Sequence, residues 1–183
     1  MQVKGVALSS IIRFVNKNFC IKYDEWFASL EEETQTVFKD LKHTQWYDIK
    51  YLKEATKKAC DMFYGGDARG AWDMGKESAD FSLNGIYRIF VKVGSPNFII
   101  SRASRIIKSF YNPSDVEMLE NKPYFARFRI KNFEFIDKYI EARICGWVEQ
   151  ALYINGLRNH TVKIEKSMAA GDQYTEFSFS WSD

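Results

Sequence analysis

The sequence predicts an α+β domain in which N-terminal helices are followed by a ββαββ antiparallel sheet with a long crossover helix. Apolar residues recur at every third or fourth position from 134 to 155, which is the spacing of a single stripe along an α-helix. On both sides of this stretch the pattern changes to two-residue alternation, as in half-buried strands. We therefore expect the helix at 134–155 to connect two pairs of strands and to pack on their sheet.

The N-terminal part of the chain predicts three helical regions, at 5–19, 23–41 and 48–64. The second is either one helix or a helix pair, because an acidic run separates its two apolar patches. Asp48 offers a side-chain oxygen that can cap the third helix, and Gly65 follows the last turn, where glycine commonly ends a helix.

Between residues 67 and 110 the spacing predicts two helices and a shorter one between them. The helix at 67–81 has mostly small inward positions, which would let another backbone come close. A short helix is expected at 83–93, and the break Gly94-Ser95-Pro96 starts the last helix, which runs to Phe110. The inward positions of the first of these helices are Ala71, Met74, Gly75, Ser78 and Ala79.

Four strands are predicted after residue 110, at 116–119, 124–130, 162–164 and 174–181. The second and fourth alternate most clearly, so one face of each is expected to be buried. The crossover stretch between the two pairs has one charged residue inside its apolar stripe, Arg143.

Length and composition bound the class of protein. A chain of 183 residues fits one domain spanning 1–183. The net charge of +2 creates no field for nucleic acid, and no run of 18 apolar residues predicts a membrane span. Cys20, Cys60 and Cys145 form no paired motif, so we interpret them as reduced thiols of a cytoplasmic protein.

No sequence pattern points to catalysis, a metal ion or a cofactor. Residues 70–77 approach the spacing of a phosphate-binding loop, but Glu77 replaces the hydroxyl residue that would hold magnesium and no strand precedes them. His43 and His160 are too few for a histidine-rich zinc site. We therefore expect a protein that is not an enzyme and has no metal or cofactor.

Large rings are the remaining clue. The chain has 15 Phe, 10 Tyr and 5 Trp, a heavy supply of rings for one modest core. These rings fill the core, line a pocket for a small ligand, or form a subunit interface. The candidates for a pocket are Trp72, Tyr87, Phe90, Tyr139 and Trp147.

Short motifs along the whole chain resemble a known superfamily. The motifs are Val3-Lys4-Gly5, Trp46-Tyr47, Gly75, Gly146, Gly156 and the closing Phe177-Ser178-Phe179-Ser180-Trp181. The chain resembles the superfamily of haem-nitric-oxide-binding domains, vinyl-reductase-type small-molecule-binding domains and Bet3-like subunits of the TRAPP vesicle-tethering complex. More narrowly, it resembles the myxobacterial paralogous family of unknown function.

The resemblance also implies what should and should not be bound. Haem-binding members have a proximal histidine on a helix and a Tyr-x-Ser-x-Arg motif for the haem propionates, whereas the candidate stretch here, Phe98–Arg105, has neither tyrosine nor histidine. Vinyl-reductase-type members commonly have a cysteine cluster near the C-terminus, and no cysteine follows Cys145. Haem is therefore not expected. Bet3-like members use an internal apolar channel and a dimer interface, which makes Cys60 the nearest candidate for acylation.

Two functional hypotheses follow from the rings and the resemblance. In the first, the protein is a non-enzymatic binding or sensory module, without haem, whose cavity between the crossover helix and the sheet accepts an apolar small molecule or acyl chain. In the alternative, it is a homodimeric scaffold or protein-interaction domain whose rings fill the core or the subunit contact.

Overall fold

The computed structural model describes residues 1–84, 96–133 and 136–182. The helices are α1 (Gly5–Asn18), α2 (Tyr23–Ala28), α3 (Glu32–Lys39), α4 (Ile49–Tyr64), α5 (Arg69–Asn84), α6 (Pro96–Phe110) and α7 (Lys138–Ile154). The strands are β1 (Gln2–Lys4), β2 (Trp46–Asp48), β3 (Tyr111–Asn112), β4 (Asp115–Lys122), β5 (Phe125–Lys131), β6 (His160–Lys166) and β7 (Thr175–Trp181).

The predicted α+β architecture is confirmed. Strands β4 to β7 form an antiparallel sheet in the order β4-β5-β7-β6, and α7 connects β5 to β6. Helices α6 and α7 pack on this sheet. Aromatic side chains pack on the buried face of the sheet. The ring centroid of Phe128 lies 5.2 Å from that of Phe177 and 5.1 Å from that of Phe179.

A second, smaller sheet was not predicted. Strand β1 lies at its centre, where Val3 pairs with Tyr47 of β2 on one side and Tyr111 of β3 on the other. These strands are two or three residues long, too short to show two-residue alternation. This sheet ties the start of α1, the start of α4 and the end of α6 together.

Two predicted boundaries need correction. The crossover helix begins at Lys138 rather than at residue 134, because the Asp137 carboxylate caps it and accepts hydrogen bonds from the Tyr139 and Ile140 amides at 3.0 and 2.9 Å. Residues 134 and 135 lie outside the described residues. The short helix predicted at 83–93 lies mostly outside them too, and its first two residues belong to the end of α5.

Helices α5 and α7 cross in direct backbone contact at two glycines. A Cβ atom on Gly75 would overlap the backbone carbonyl of Arg143, and a Cβ on Gly146 would overlap the backbone carbonyl of Trp72. Each glycine therefore faces the main chain of the other helix, and no larger residue fits there. The prediction that small residues of α5 admit another backbone is confirmed, and that backbone belongs to α7.

The opposite side of α7 is held to the sheet by a buried carboxylate. Glu141 is 2% exposed and accepts hydrogen bonds from the Ser167 and Thr175 hydroxyls at 2.6 and 2.5 Å. The backbone amide of Ala169 donates a third, at 3.4 Å. Since Ser167 and Ala169 lie in the connection between β6 and β7, one helical residue fixes where that connection sits.

Within the described ranges, none of the helices has both the length and the apolar character that crossing a bilayer requires.

We expect Gly75→Ala and Gly146→Ala each to lower the free energy of unfolding by about 3 kcal/mol, the upper end of the usual cost of overpacking. The added methyl group meets backbone atoms, so the helices must separate to admit it. Urea denaturation followed by circular dichroism measures the change. Lys58→Ala, at an exposed position of α4, is the control and should change the value by less than about 0.5 kcal/mol. A Gly75→Ala protein as stable as wild type would contradict this packing.

Candidate functional site

A cavity lies where α1, α5, α6 and α7 meet. Its volume is about 20 Å³, roughly the space of one water molecule. None of its described lining residues comes from the four-stranded sheet, so it lies on the helical side of α7. The predicted position, between α7 and the sheet, is therefore wrong for this cavity. Its lining residues are Ala7, Gly75, Ser78, Ile106, Ile107, Phe110, Tyr111, Arg143, Ile144 and Trp147.

Most of the cavity wall is apolar. Helix α6 contributes Ile106, Ile107 and Phe110, and α7 contributes Ile144 and Trp147. The Trp147 ring packs against Phe110 at 6.3 Å between centroids, and its Nε1–H donates to the Ser82 hydroxyl at 3.3 Å. The indole is thereby fixed with its polar edge satisfied and its ring facing the cavity.

Arg143 brings a charge into this apolar wall. Its side chain is 3% exposed, and its Nη2 donates to the Ser10 hydroxyl at 3.1 Å and to the Ala7 carbonyl at 3.4 Å. Its buried Nη1 has no hydrogen-bond partner among the described residues. Burial lowers the pKa of Arg143, but a guanidinium remains protonated in proteins at neutral pH.

Tyr111 is another polar residue of the lining, and it interacts with the Arg143 guanidinium. It follows α6 directly, and its pairing with Val3 in the small sheet holds it at the cavity. Burial raises the pKa of Tyr111, and the charge of Arg143 opposes that rise only in part. The tyrosine is therefore a neutral hydroxyl at pH 7 and does not neutralise Arg143.

The five predicted pocket residues do not lie together in the structure. Trp147 lines the cavity, whereas Trp72 donates its Nε1–H to Glu149 and Tyr139 donates its hydroxyl to the Gly66 carbonyl at 3.2 Å, both outside the lining. Tyr87 and Phe90 lie outside the described residues. The sequence analysis missed Tyr111 and gave Arg143 no role, although a lone charge within an apolar helical stripe was the signal that marked it.

The candidates for other chemistry lie elsewhere. Residues 70–77, which resembled a phosphate-binding loop, lie inside α5, where Glu77 accepts hydrogen bonds from Arg13 at 2.8 Å and Lys17 at 2.9 Å of α1. His43 packs edge-on against Phe81, and His160 lies 3.1 Å from the Leu157 carbonyl. The described part of the chain contains no cluster of three metal-ligating side chains.

The acylation candidate, Cys60, is a buried residue of α4. Burial raises the pKa of its thiol to about 11, and Gly70 of α5 packs against its sulfur. Burial raises the pKa of Cys145 as well. Only the thiolate is a strong nucleophile, so both thiols are protected at neutral pH, whereas Cys20 is exposed.

The described residues offer no histidine ligand for a haem iron at this cavity. Its described lining holds no histidine, and the described residues of α6 from 98 to 105 supply neither histidine nor tyrosine. Room for about one water is far less than a macrocycle needs.

Comparison with solved structures shows the fold. The chain is similar to the H-NOX protein from S. oneidensis in its Fe(II)NO ligation state, with a TM-score of 0.77, 8% identity and coverage of 98% of this chain and 99% of that one. The Fe(II) unliganded H-NOX protein from K. algicida is similar with a TM-score of 0.75 and 9% identity, over 98% of this chain and 97% of that one. The IWP-051-bound H-NOX from Shewanella woodyi has a TM-score of 0.70 and 11% identity, over 97% of this chain and 94% of that one.

This chain therefore has an H-NOX-like fold along nearly its whole length. No family model matches it, and no curated protein matches it either. The haem-nitric-oxide-binding part of the predicted resemblance is thus confirmed at the level of fold.

We expect a thiol reagent such as DTNB to modify one cysteine of the folded protein, Cys20, and to reach Cys60 and Cys145 only after denaturation. Release of the chromophore at pH 8, with and without guanidinium, measures this. Cys20→Ser should abolish the native-state reaction and leave the denatured-state reaction at two thiols. Rapid native modification of Cys20→Ser would mean that a buried thiol is reactive.

Proposed function

We propose that this protein is a non-enzymatic binding or sensory module that takes a small ligand in the cavity between α1, α5, α6 and α7, without haem. The observation that carries the proposal is the cavity itself, an interior space with an apolar wall in an H-NOX-like fold. Apolar cavities with a few convergent polar groups are where small ligands bind in proteins.

The small volume of the cavity bears on how such a module would signal. Because about one water fits, a larger ligand has to displace part of the wall. Helix α5 is locked to α7 by the two glycines, so α6 is the wall that can move. Asn97 of α6 donates to the backbone carbonyl of Lys122 at 2.7 Å, which links that movement to the β4–β5 hairpin. An acyl chain would need the largest displacement.

Several finer predictions stay with this proposal. Membership of the myxobacterial paralogous family and kinship with vinyl-reductase-type and Bet3-like domains rest on the short motifs, of which Gly75 and Gly146 form the helix crossing. That the protein is not an enzyme stays a prediction; residues 70–77, which came nearest to a phosphate-binding loop, lie inside a helix. A cytoplasmic location rests on the three unpaired cysteines.

The homodimeric scaffold remains the alternative. The observation in its favour is the edge strand β6, whose Ile164 is 37% exposed and whose outer backbone is open to pairing with a second copy. Analytical ultracentrifugation tests it, since a monomer at every concentration would remove this alternative.

We expect xenon under pressure to enter the cavity by displacing part of its wall, and to shift the methyl NMR signals of Ile106, Ile107 and Ile144 in a saturable manner. Ala7→Val adds two methyl groups at the lining and should abolish the shift, whereas Ala169→Val, at an exposed turn, should not. Wild-type protein without any xenon-dependent shift at these methyls would contradict a ligand-accepting cavity.

Native mass spectrometry and a visible absorbance spectrum of the purified protein test the remainder of the proposal. We expect no Soret band, and a small bound mass, if retained, should disappear on denaturation and be absent from Ala7→Val. A Soret band would overturn the statement that haem is not the ligand. A dimer without bound mass would favour the scaffold.

A further inference from the structure

Among the described residues, Arg143 is a buried cation without a counter-charge. The titratable groups that act on it are Tyr111 and Cys60, and both are neutral at pH 7 because burial raises their pKa values. No carboxylate lies within salt-bridge distance of its guanidinium among the described residues. A buried charge in this state is costly, and removing it from the interior is usually neutral or stabilising.

Neighbouring carboxylates of the interior are committed elsewhere. Glu77 pairs with Arg13 and Lys17, and Glu141 accepts its three hydrogen bonds from the β6–β7 side of α7. Side-chain rearrangement within the described core therefore does not supply a partner without breaking another set of bonds.

Arg143 is a lining residue of the cavity, and its guanidinium contacts residues that also line it. Two of the groups that approach it, Ala7 and Tyr111, are themselves lining residues, and the apolar wall of Ile106, Ile107 and Phe110 forms the remainder. A single water would fit and would satisfy the free Nη1–H, but it would leave the charge uncompensated. An anion would accept the hydrogen bond of Nη1–H and would also neutralise the charge of the guanidinium.

We infer that the ligand of this cavity is a small monocarboxylate, whose carboxylate pairs with Nη1 of Arg143 while its short alkyl part contacts the α6 wall. This inference rests on the proposed function and specifies its ligand class. A single charge is indicated because one guanidinium is the only cation of the described lining, and the other polar side chains there are the hydroxyls of Ser78 and Tyr111. Carboxylate–guanidinium hydrogen bonds are among the strong, charge-assisted ones.

The decisive comparison is between sodium propionate and propionamide, which share shape and differ in charge. Binding is measured by calorimetry and by the melting temperature at constant ionic strength, balanced with sodium chloride. We expect propionate to bind about 10-fold or more tightly than propionamide, as expected for a hydrogen bond to a charged group in a buried site. Equal binding of the two would overturn the inference.

Two matched variants separate a binding role of Arg143 from a structural one. Arg143→Met should lose propionate binding while its melting temperature in plain buffer equals or exceeds that of wild type, because an uncompensated charge is removed. Arg158→Met removes an equal charge from an exposed residue and should bind propionate as wild type does. A strongly lowered melting temperature in Arg143→Met with propionate binding retained would assign the arginine to the fold alone.

The two proposals fail in distinguishable ways. Xenon shifts at the isoleucine methyls with no preference for propionate over propionamide would overturn the carboxylate inference and keep the ligand-accepting cavity. Wild-type protein that shows neither the xenon shifts nor a preference for propionate would overturn both the carboxylate inference and the ligand-accepting cavity. Since wild-type protein alone gives these results, they hold even if Arg143→Met does not fold.

Discussion

The close crossing of α5 and α7 is the constraint on which the rest of the molecule depends. With Gly75 against the Arg143 carbonyl and Gly146 against the Trp72 carbonyl, the two backbones touch and α7 has one allowed rotation. Arg143, Gly146 and Trp147 lie three and four residues apart, hence on one face of the helix. The glycine contact that fixes this face therefore also directs an arginine and a tryptophan towards the space that α5 leaves open.

Helix α7 separates two electrostatic environments. On its sheet side, Glu141 is buried with three donors and is satisfied by them. On its helical side, Arg143 is buried with a hydroxyl and a backbone carbonyl as acceptors, and its Nη1 finds no hydrogen-bond partner in the described part of the chain. Three donors surround the first side chain, whereas no opposite charge lies beside the second among the described residues, an arrangement that usually costs stability.

The fold was largely predictable from the sequence, whereas the site was not. Stripes at helical spacing, the Asp48 cap and the start of α6 at Pro96 are local signals, and each appears in the structure. The cavity depends on contacts between distant residues, such as Arg143 with Ser10, 133 positions apart, and on a strand of two residues that has no period. Trp72 and Tyr139 looked like pocket rings because periodicity reports burial but not where a polar edge finds its partner.

The small sheet also sets where the domain can open. Its strands join the end of α6 to the start of α1, so Phe110, Tyr111 and Ala7, three parts of the cavity wall, are linked through only a few backbone hydrogen bonds. Short strands of this kind contribute little stability of their own. Local unfolding of this small sheet would release two walls at once without disturbing the glycine crossing, and its free energy would set how often this route connects the interior with solvent.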